Sequence, residues 1–495
     1  MHKLKPVTRA LLGLGLIAGL CTQAPAATFE VSSTADAGPG SLRDAVAQAN
    51  ANPGADSITF VDGLGTITLL TPLVSTDELQ ILGGSSGQTL SGGNQTRILS
   101  VPNDGDSLAL SDLRLTNGRT TTDGDPGNPC TASDGRGGAL CSNAATFLTR
   151  ITVENSTTLG AQAHGGGLYL ASGASLDDSI VRNNTTQGDA ANGGGVAADE
   201  LMFVHNSLIQ NNEAIAVNAR GGGLYMPSGT DFEMRYSAVI ANVSGGSAGG
   251  LRVSRTLMEN STVANNNAVV GGGMDLDVSI NLGGDPGTPI IRNSTIVDNF
   301  DSDPVSTSGG GLRVLYFQTD YTARLESVLL AGNFGPSGNL NVVGVAGNPD
   351  LNTAEVTLDV LFSQIGNGAA VINGIDQNNL FDTSAQLLPL GDRGCAAMAG
   401  APGTRLCVPV HEVQASSPAL DAGSNPGNLE WDQRGEGFPR VVGGQADIGA
   451  FESGLSGAPT VPAVGVPVLD PQGLGLMILL MALIGLVVIG RAGRG

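Results

Sequence analysis

A glycine triplet followed by an apolar residue returns along this chain, and it constrains the fold more than any other feature. AHGGGLYL (163–170) is followed by ANGGGVAA (191–198), ARGGGLYM (219–226), SAGGLRVS (247–254), VGGGMDLD (270–277) and SGGGLRVL (308–315). A second element travels with it: ENSTTLG (154–160), DSIVRNN (178–184), NSLIQNN (206–212), YSAVIAN (236–242), NSTVANN (260–266), NSTIVDN (293–299) and ESVLLAGN (326–333). Aligned on serine, the series runs Ser156, Ser179, Ser207, Ser237, Ser261, Ser294 and Ser327, at intervals of 23, 28, 30, 24, 33 and 33 residues. Five residues beyond the serine, five of these units carry an asparagine: Asn184, Asn212, Asn242, Asn266 and Asn299.

A period of this length means a repeat architecture. Helical repeats need long runs of helix formers at a 3.6-residue period. Here apolar residues alternate at period two in short runs broken by Gly and Asn. Variable intervals suit a coil whose loops differ while its strands stay in register. The pattern predicts an all-β, single-stranded, right-handed parallel β-helix. Each coil must turn sharply, and like positions of successive coils stack about 4.8 Å apart. Glycine supplies the positive φ of such a corner and leaves room for the next backbone. The aliphatic residue after the triplet then points inward, the asparagines form an amide ladder at another corner, and the serines form a column beside the core. About a dozen coils give a rod roughly 60 Å long.

An open rod end exposes core and strand edges, so a cap is required. GSLRDAVAQANA (40–51) predicts a short capping helix, with Ser41 as N-cap and Leu42, Ala45, Val46 and Ala49 on one face. This places a cap and first coils at 27–105 and the repeats at 106–452.

The ends read as export and anchoring signals. Residues 1–26 carry Lys3, Lys5 and Arg9, then an apolar run, then Ala24-Pro25-Ala26, the pattern of a secretory signal peptide. Gly473 to Gly490 is uncharged and is followed by Arg491 and Arg494. It is long enough for one transmembrane helix, with the arginines on the cytoplasmic side. SGLSGAPTVPAVGVP (453–467) is a Pro/Gly linker ahead of the tail at 468–495. Without the signal's three cations, the net charge falls from −22 to −25 and no lysine remains. Such a surface repels nucleic acid, and the missing lysine excludes Schiff-base chemistry and a Walker-type loop. Cys130 with Cys141, and Cys395 with Cys407, each fall in a Gly/Pro/Asp-rich loop and read as local disulfides of an exported protein.

Several segments resemble known families. FEVSSTADAGPGSLRDAVAQANANPGADSITF (29–60), GTITLLTPL (65–73) and SLALSDLRLTNG (107–118) resemble the opening of exported bacterial β-helix proteins. SSPALDAGSN (416–425) with WDQRGEGFPRVVGGQADIGAFE (431–452) resembles the closing motif of choice-of-anchor Q domain proteins, a group with a pectate-lyase-like β-helix. The tail VPVLDPQGLGLMILLMALIGLVVIGRAGRG (466–495) resembles an IPTL-CTERM sorting signal, although Val468 stands where that motif has threonine. These resemblances imply a secreted protein held at the cell envelope or surface. Its partners would be a sorting transpeptidase at the tail and the membrane through 473–490. They imply no defined reaction.

Candidate sites follow from the coil phase. The position after the inward aliphatic reads Tyr169, Ala197, Tyr225, Arg252, Asp275 and Arg313. If it faces outward, Tyr169, Tyr225, Arg252 and Arg313 could stack on sugars or pair with their carboxylates. Otherwise the column is ordinary surface alternation. Asp177-Asp178 is an acidic pair with no in-step repeat in other coils, and His164 and His205 differ in phase. Asp421, Asp432 and Asp447 of the closing motif are dense enough to suit calcium. The competing reading is structural, with Arg434 pairing acids while the motif seals the last coil. No catalytic residue is singled out. The sequence therefore predicts an envelope-anchored β-helix of adhesive or structural role, touching a polysaccharide or matrix component. The alternative is a polysaccharide lyase or glycoside hydrolase of the pectin-degrading type.

Overall fold

In the computed structural model the chain is described over residues 26–454, apart from 128, 132, 278–287, 304–309, 316–320, 335–343, 347–355, 367–371, 373, 382 and 396–405. The signal segment before Ala26, most of the 453–467 linker and the apolar span 473–490 lie outside these residues. Among the described residues no helix is long and apolar enough to cross a membrane.

The chain winds as a parallel β-helix. One coil runs Ala145–Thr149, Thr152–Glu154, Thr157–Thr158 and Leu168–Leu170, and Ala174–Asp177 opens the next. Each stretch pairs in parallel with its counterpart one coil on, giving four sheets numbered I to IV in the order the chain visits them. Among the described residues these hold thirteen, twelve, seven and ten strands. At period two alternate side chains of each strand point inward, and stacking aligns them across coils. In sheet I the inward column reads Ile58, Ile81, Leu110, Leu148, Leu176, Val204, Met234, Met258, Ile291, Leu325 and Val360. All are buried in one continuous core. Leu168, Val196, Leu224, Leu251, Met274 and Leu312, the residues after the glycines, form the inward column of sheet IV.

The three glycines of each triplet meet different demands. The first takes φ near +70°, as at Gly165, Gly193, Gly221 and Gly271, and Ala248 fills that place in its own coil at φ 57°. The second has no room for a side chain: a Cβ on Gly222 would lie 2.3 Å from the Val243 carbonyl oxygen. The third passes beneath the asparagine ladder, and a Cβ on Gly223 would sit 3.0 Å from the Asn242 amide.

The ladder is fully bonded. Asn212 Oδ1 accepts from the Asn184 main-chain N–H at 3.1 Å and from Asn184 Nδ2 at 3.0 Å. Asn212 Nδ2 donates to the Val181 carbonyl and to Asn242 Oδ1, each at 3.0 Å. The main-chain N–H groups of Ser179, Ser207 and Ser237 donate to the hydroxyl of the next serine. A left-handed residue precedes most members of both columns: Asp178, Asn206, Tyr236, Asn260 and Asn293 before serines, Asn183, Asn211, Ala241, Asn265 and Asp298 before asparagines. Asn and Asp tolerate this conformation best.

The register corrects the sequence alignment at both ends. Ser156 belongs to the asparagine column, its N–H donating to Asn184 Oδ1, while Ile151 occupies the serine place of that coil. At the far end Arg292 pairs with Glu326, so Ser327 falls on the left-handed corner and Val328 in the serine place. Asn333 then continues the ladder, accepting from Asn299. Alignment on serine misses this shift because Ser327 stands one residue ahead of the serine place.

The helix Leu42–Ala51 caps the first coil as its sequence requires. Ser41 Oγ accepts from the Asp44 N–H at 3.2 Å, and Leu42, Ala45, Val46 and Ala49 are buried. The closing segment behaves otherwise. Instead of sealing the last coil, residues 383–395 and 406–452 lie back along the outer face of sheet II. Ala385, Val413, Ala419 and Ile448 pack on Ala264, Val297, Leu329 and Ala331, and Val408 reaches Leu208, Ala238 and Ile240. Gln433 bonds Thr262 at 2.6 Å, Asn260 bonds the Trp431 carbonyl at 2.6 Å, and the Gly449 N–H meets the Ser327 carbonyl at 3.0 Å. This strap spans the coils from Leu208 to Leu329.

Candidate functional site

Stacking aligns Tyr169, Ala197, Tyr225, Arg252, Asp275 and Arg313 in one column of sheet IV, as the sequence predicts. The column is not an open stripe. Tyr169, Ala197, Arg252, Asp275 and Arg313 are buried, and Tyr225 is half-buried. Arg313 grips Asp275 with two bonds, at 2.8 and 2.5 Å, while Arg252 bridges Asp275 at 3.3 Å and Asp277 at 3.1 Å. Two cations and two anions neutralise one another there, so Arg252 and Arg313 do not serve as surface ligands for a glycan. Period-two alternation gave the direction of these side chains correctly, but it carries no information about what covers them.

At the other end of the same column lies a cluster of shifted ionisable groups. The disulfide Cys130–Cys141, with Cα atoms 5.0 Å apart, ties the excursion after residue 120 to sheet IV, and Cys141 stacks directly on Tyr169. Arg136 from this excursion lies over the Tyr169 ring, 4.8 Å from its centroid, and donates to its hydroxyl at 3.1 Å. The Tyr169 hydroxyl in turn donates to Asp199. His164 stands next to Tyr225, their ring centroids 6.1 Å apart, and its Nδ1 accepts from the Asn192 N–H at 3.0 Å. Burial, with the Arg136 charge, lowers the His164 pKa to about 4. Burial and Asp199 push the Tyr169 phenol well above its ordinary range, and burial raises the Asp199 carboxyl despite Tyr169 and Arg136. Clustered shifts of this kind mark candidate functional sites. Of the residues picked out in the sequence, Tyr169, Tyr225 and His164 meet here. Arg136 and Asp199 carry no signal in the repeat, because both lie in the loops between its strands.

The chemistry open to this cluster is limited by its protons. With Nδ1 occupied as an acceptor, the neutral His164 ring holds its proton on Nε2 and can donate but not abstract. The Tyr169 proton is committed to Asp199. Such a site can position hydroxyl or carboxylate groups beside an arginine; it is not poised as a base.

Sheet I carries a second constellation. Asp177, His205, Arg235, Glu259, Arg292 and Glu326 occupy one outward column in successive coils. The charge at Asp177 is therefore answered in step by later coils, which separate motif alignment had not revealed. His205 sits 3.4 Å from Asp177 and 3.1 Å from Glu233, and Glu259 is paired with both Arg235 and Arg292. Partial burial lowers the His205 pKa, but Asp177 and Glu233 outweigh it and bring it to about 9.

The closing-motif acids are engaged by the strap itself. Arg434 forks onto Asp432 and stacks between Phe438 and Phe451, with centroids 4.1 and 3.9 Å away. Asp447 accepts from the Asp421 and Ser453 N–H groups at 2.9 and 2.7 Å. Fully buried Arg440 reaches Glu452 at 3.3 Å, and burial pushes the Glu452 carboxyl up to about 7. Asp421, Asp432 and Asp447 thus do not converge as a calcium cage: the Asp432 and Asp447 oxygens serve an arginine and main-chain amides, while Asp421 is exposed and joins them only through its N–H. Among the described residues a group of three metal-capable side chains close enough to share an ion is Cys130, Asp134 and Cys141, where the two sulfurs are joined. The second disulfide, Cys395–Cys407, has Cα atoms 5.8 Å apart.

No family model and no curated protein matches the chain. Among solved structures it is similar to pectate lyase Pel9A, with 14% identity and a TM-score of 0.40 over 86% of this chain and 96% of that one. It is also similar to a mannuronic acid specific polysaccharide family 6 lyase from human gut microbiota, with 12% identity and a TM-score of 0.29 over 72% of this chain and 91% of that one. The parallel β-helix itself rests on the strand register described above.

Proposed function

We propose that this protein is an exported β-helix held at the cell envelope, where it contacts polysaccharide as an adhesive or structural element without cutting it. The observation that carries this reading is the state of the protons in the Arg136–Tyr169–Asp199–His164 cluster. Its histidine and tyrosine are fixed as donors and its one carboxylate, Asp199, is already engaged by the Tyr169 hydroxyl, whereas depolymerisation by elimination or hydrolysis needs a group free to accept a proton. The signal-like start and the apolar, arginine-ended tail support export and retention at the membrane. The second reading, a polysaccharide lyase or glycoside hydrolase, is favoured by the same cluster of shifted groups.

The test uses the full chain in detergent, incubated with neutral and acidic polysaccharides, with calcium and then with chelator. Retention on an immobilised glycan without new reducing ends or unsaturated products is the expected result. Depolymerisation abolished by Asp199→Asn or His164→Gln would replace this reading with the enzymatic one.

A further inference from the structure

Sheet III, which neither the repeat motifs nor the shifted groups single out, carries with its adjoining loops six of the ten exposed large apolar side chains among the described residues. Its outward column runs Arg119, Thr157, Thr185, Glu213, Val243, Asn267, Phe300 and Phe334 across successive coils. Val243, Phe300 and Phe334 are 39%, 42% and 54% exposed. Ile215, Val217 and Val269, at 45%, 78% and 39%, form a shoulder beside them. An apolar strip of this kind on a folded surface marks a contact site. Asn267, between Val243 and Phe300, makes no side-chain hydrogen bond among the described residues and presents a free amide.

We infer that this strip binds a neutral polysaccharide chain lying along the axis of the β-helix. Three observations select that occupant. Coil stacking repeats the column about every 4.8 Å, close to the length of one hexose in an extended chain, so successive sugars meet successive side chains. Phe300 and Phe334 offer flat apolar faces to sugar C–H surfaces, and Asn267 offers both a donor and an acceptor to hydroxyls. Charge decides the class. The column itself holds one acid, Glu213, and one cation, Arg119, with Asp303 and Arg220 flanking it, so no local excess of positive charge offsets the net charge of −22. A polyuronide would be repelled, whereas an uncharged glycan is not.

The inference rests on the glycan contact proposed above and adds its location and the class of ligand. It is tested with the full chain on three immobilised supports: an uncharged β-glucan, a polyuronide and the bare matrix. Wild-type protein is expected to be retained on the β-glucan, and Phe300→Ala with Phe334→Ala should weaken that retention at least about tenfold. Because both rings are exposed, the double variant should unfold at the wild-type temperature, and Asn267→Ala provides a second variant that leaves the rings in place. Retention that survives all three substitutions overturns this site while leaving glycan contact standing. Preferential retention on the polyuronide overturns the ligand class. If none of the supports retains the wild-type protein, the general reading fails and this one fails with it. A concentration-dependent dimer in sedimentation, lost in the double variant, would reassign the strip to a second copy of the chain.

Discussion

At the scale of single residues, each coil is fixed by a few polar and glycine positions whose neighbours leave no alternative. Removing the Asn242 side chain leaves the Asn212 main-chain N–H and one of its two side-chain N–H groups without an acceptor, and the Ile209 carbonyl without its side-chain donor. Each buried unsatisfied group costs about 1–3 kcal/mol, so Asn242→Ala should lower stability by ~3 kcal/mol or more, read from the urea midpoint. Ala248 is the converse case. It holds a left-handed corner that glycine fills in neighbouring coils, and Ala248→Gly should raise stability by about 0.5–1 kcal/mol. The two histidines with shifted pKa values give opposite pH limbs. His164 is depressed to about 4, so the unfolded chain takes a proton that the fold refuses, and its contribution is lost as pH falls from 6.5 toward 4. His205 is raised to about 9, so its contribution is complete below 6.5 and is lost as pH rises toward 9. Thermal melts across pH should lose the acid limb in His164→Gln and the alkaline limb in His205→Gln. Equal slopes in variant and wild type would refute either assignment.

At the scale of elements, sequence periodicity revealed what is repeated and concealed what lies on top of it. The glycine corners, the amide ladder and the capping helix were legible because each has a local chemical cause. Cover was not. Sheet II carries a sign of that cover in its own residues. Its strands read Thr152-Val153-Glu154 and Ile180-Val181-Arg182 early on, with polar outward ends, but Ala238-Val239-Ile240, Thr295-Ile296-Val297 and Leu329-Leu330-Ala331 later. Loss of alternation means both faces are buried, and it begins where the strap arrives. The same holds for Leu312–Leu315 of sheet IV, whose four residues are all buried. The strap in turn depends on its own charged core. Arg434→Met would strand the Asp432 carboxylate in an apolar site, at a cost of about 3–5 kcal/mol. Limited proteolysis should then cut within residues 383–452 while the coils survive, and concerted loss of both would show that strap and coils form one cooperative unit.

At the scale of the whole molecule, charge is arranged so that a strongly acidic chain still stacks closely. Along sheet I, Asp177, His205, Arg235, Glu259, Arg292 and Glu326 place opposite signs in most adjacent coils. Glu259 and Glu326 are buried among these partners. The exposed members of this ladder are screened by salt, and the hydrophobic core is not. Raising ionic strength should therefore erode stability modestly, and the erosion should shrink in a variant carrying Arg235→Gln with Glu259→Gln. A melting temperature that rises monotonically with sodium chloride would indicate instead that repulsion within the net negative charge dominates.

The path of the strap also determines how the molecule bears load. After folding back along sheet II, the chain leaves the described structure at Gly454, beside Ser453 and Asp447 and close to Ala450, which is bonded to Thr295. The described chain thus ends on the flank of the rod rather than at its tip. Tension applied through the segment beyond 454 reaches the Asp432–Arg434 and Arg440–Glu452 pairs first, and through them several coils at once. A tether leaving from the terminal coil would instead peel the stack one coil at a time. A rod pulled at its flank would resist shear and pivot like a beam on a side bracket, leaving the length of sheet III to lie along whatever surface passes it.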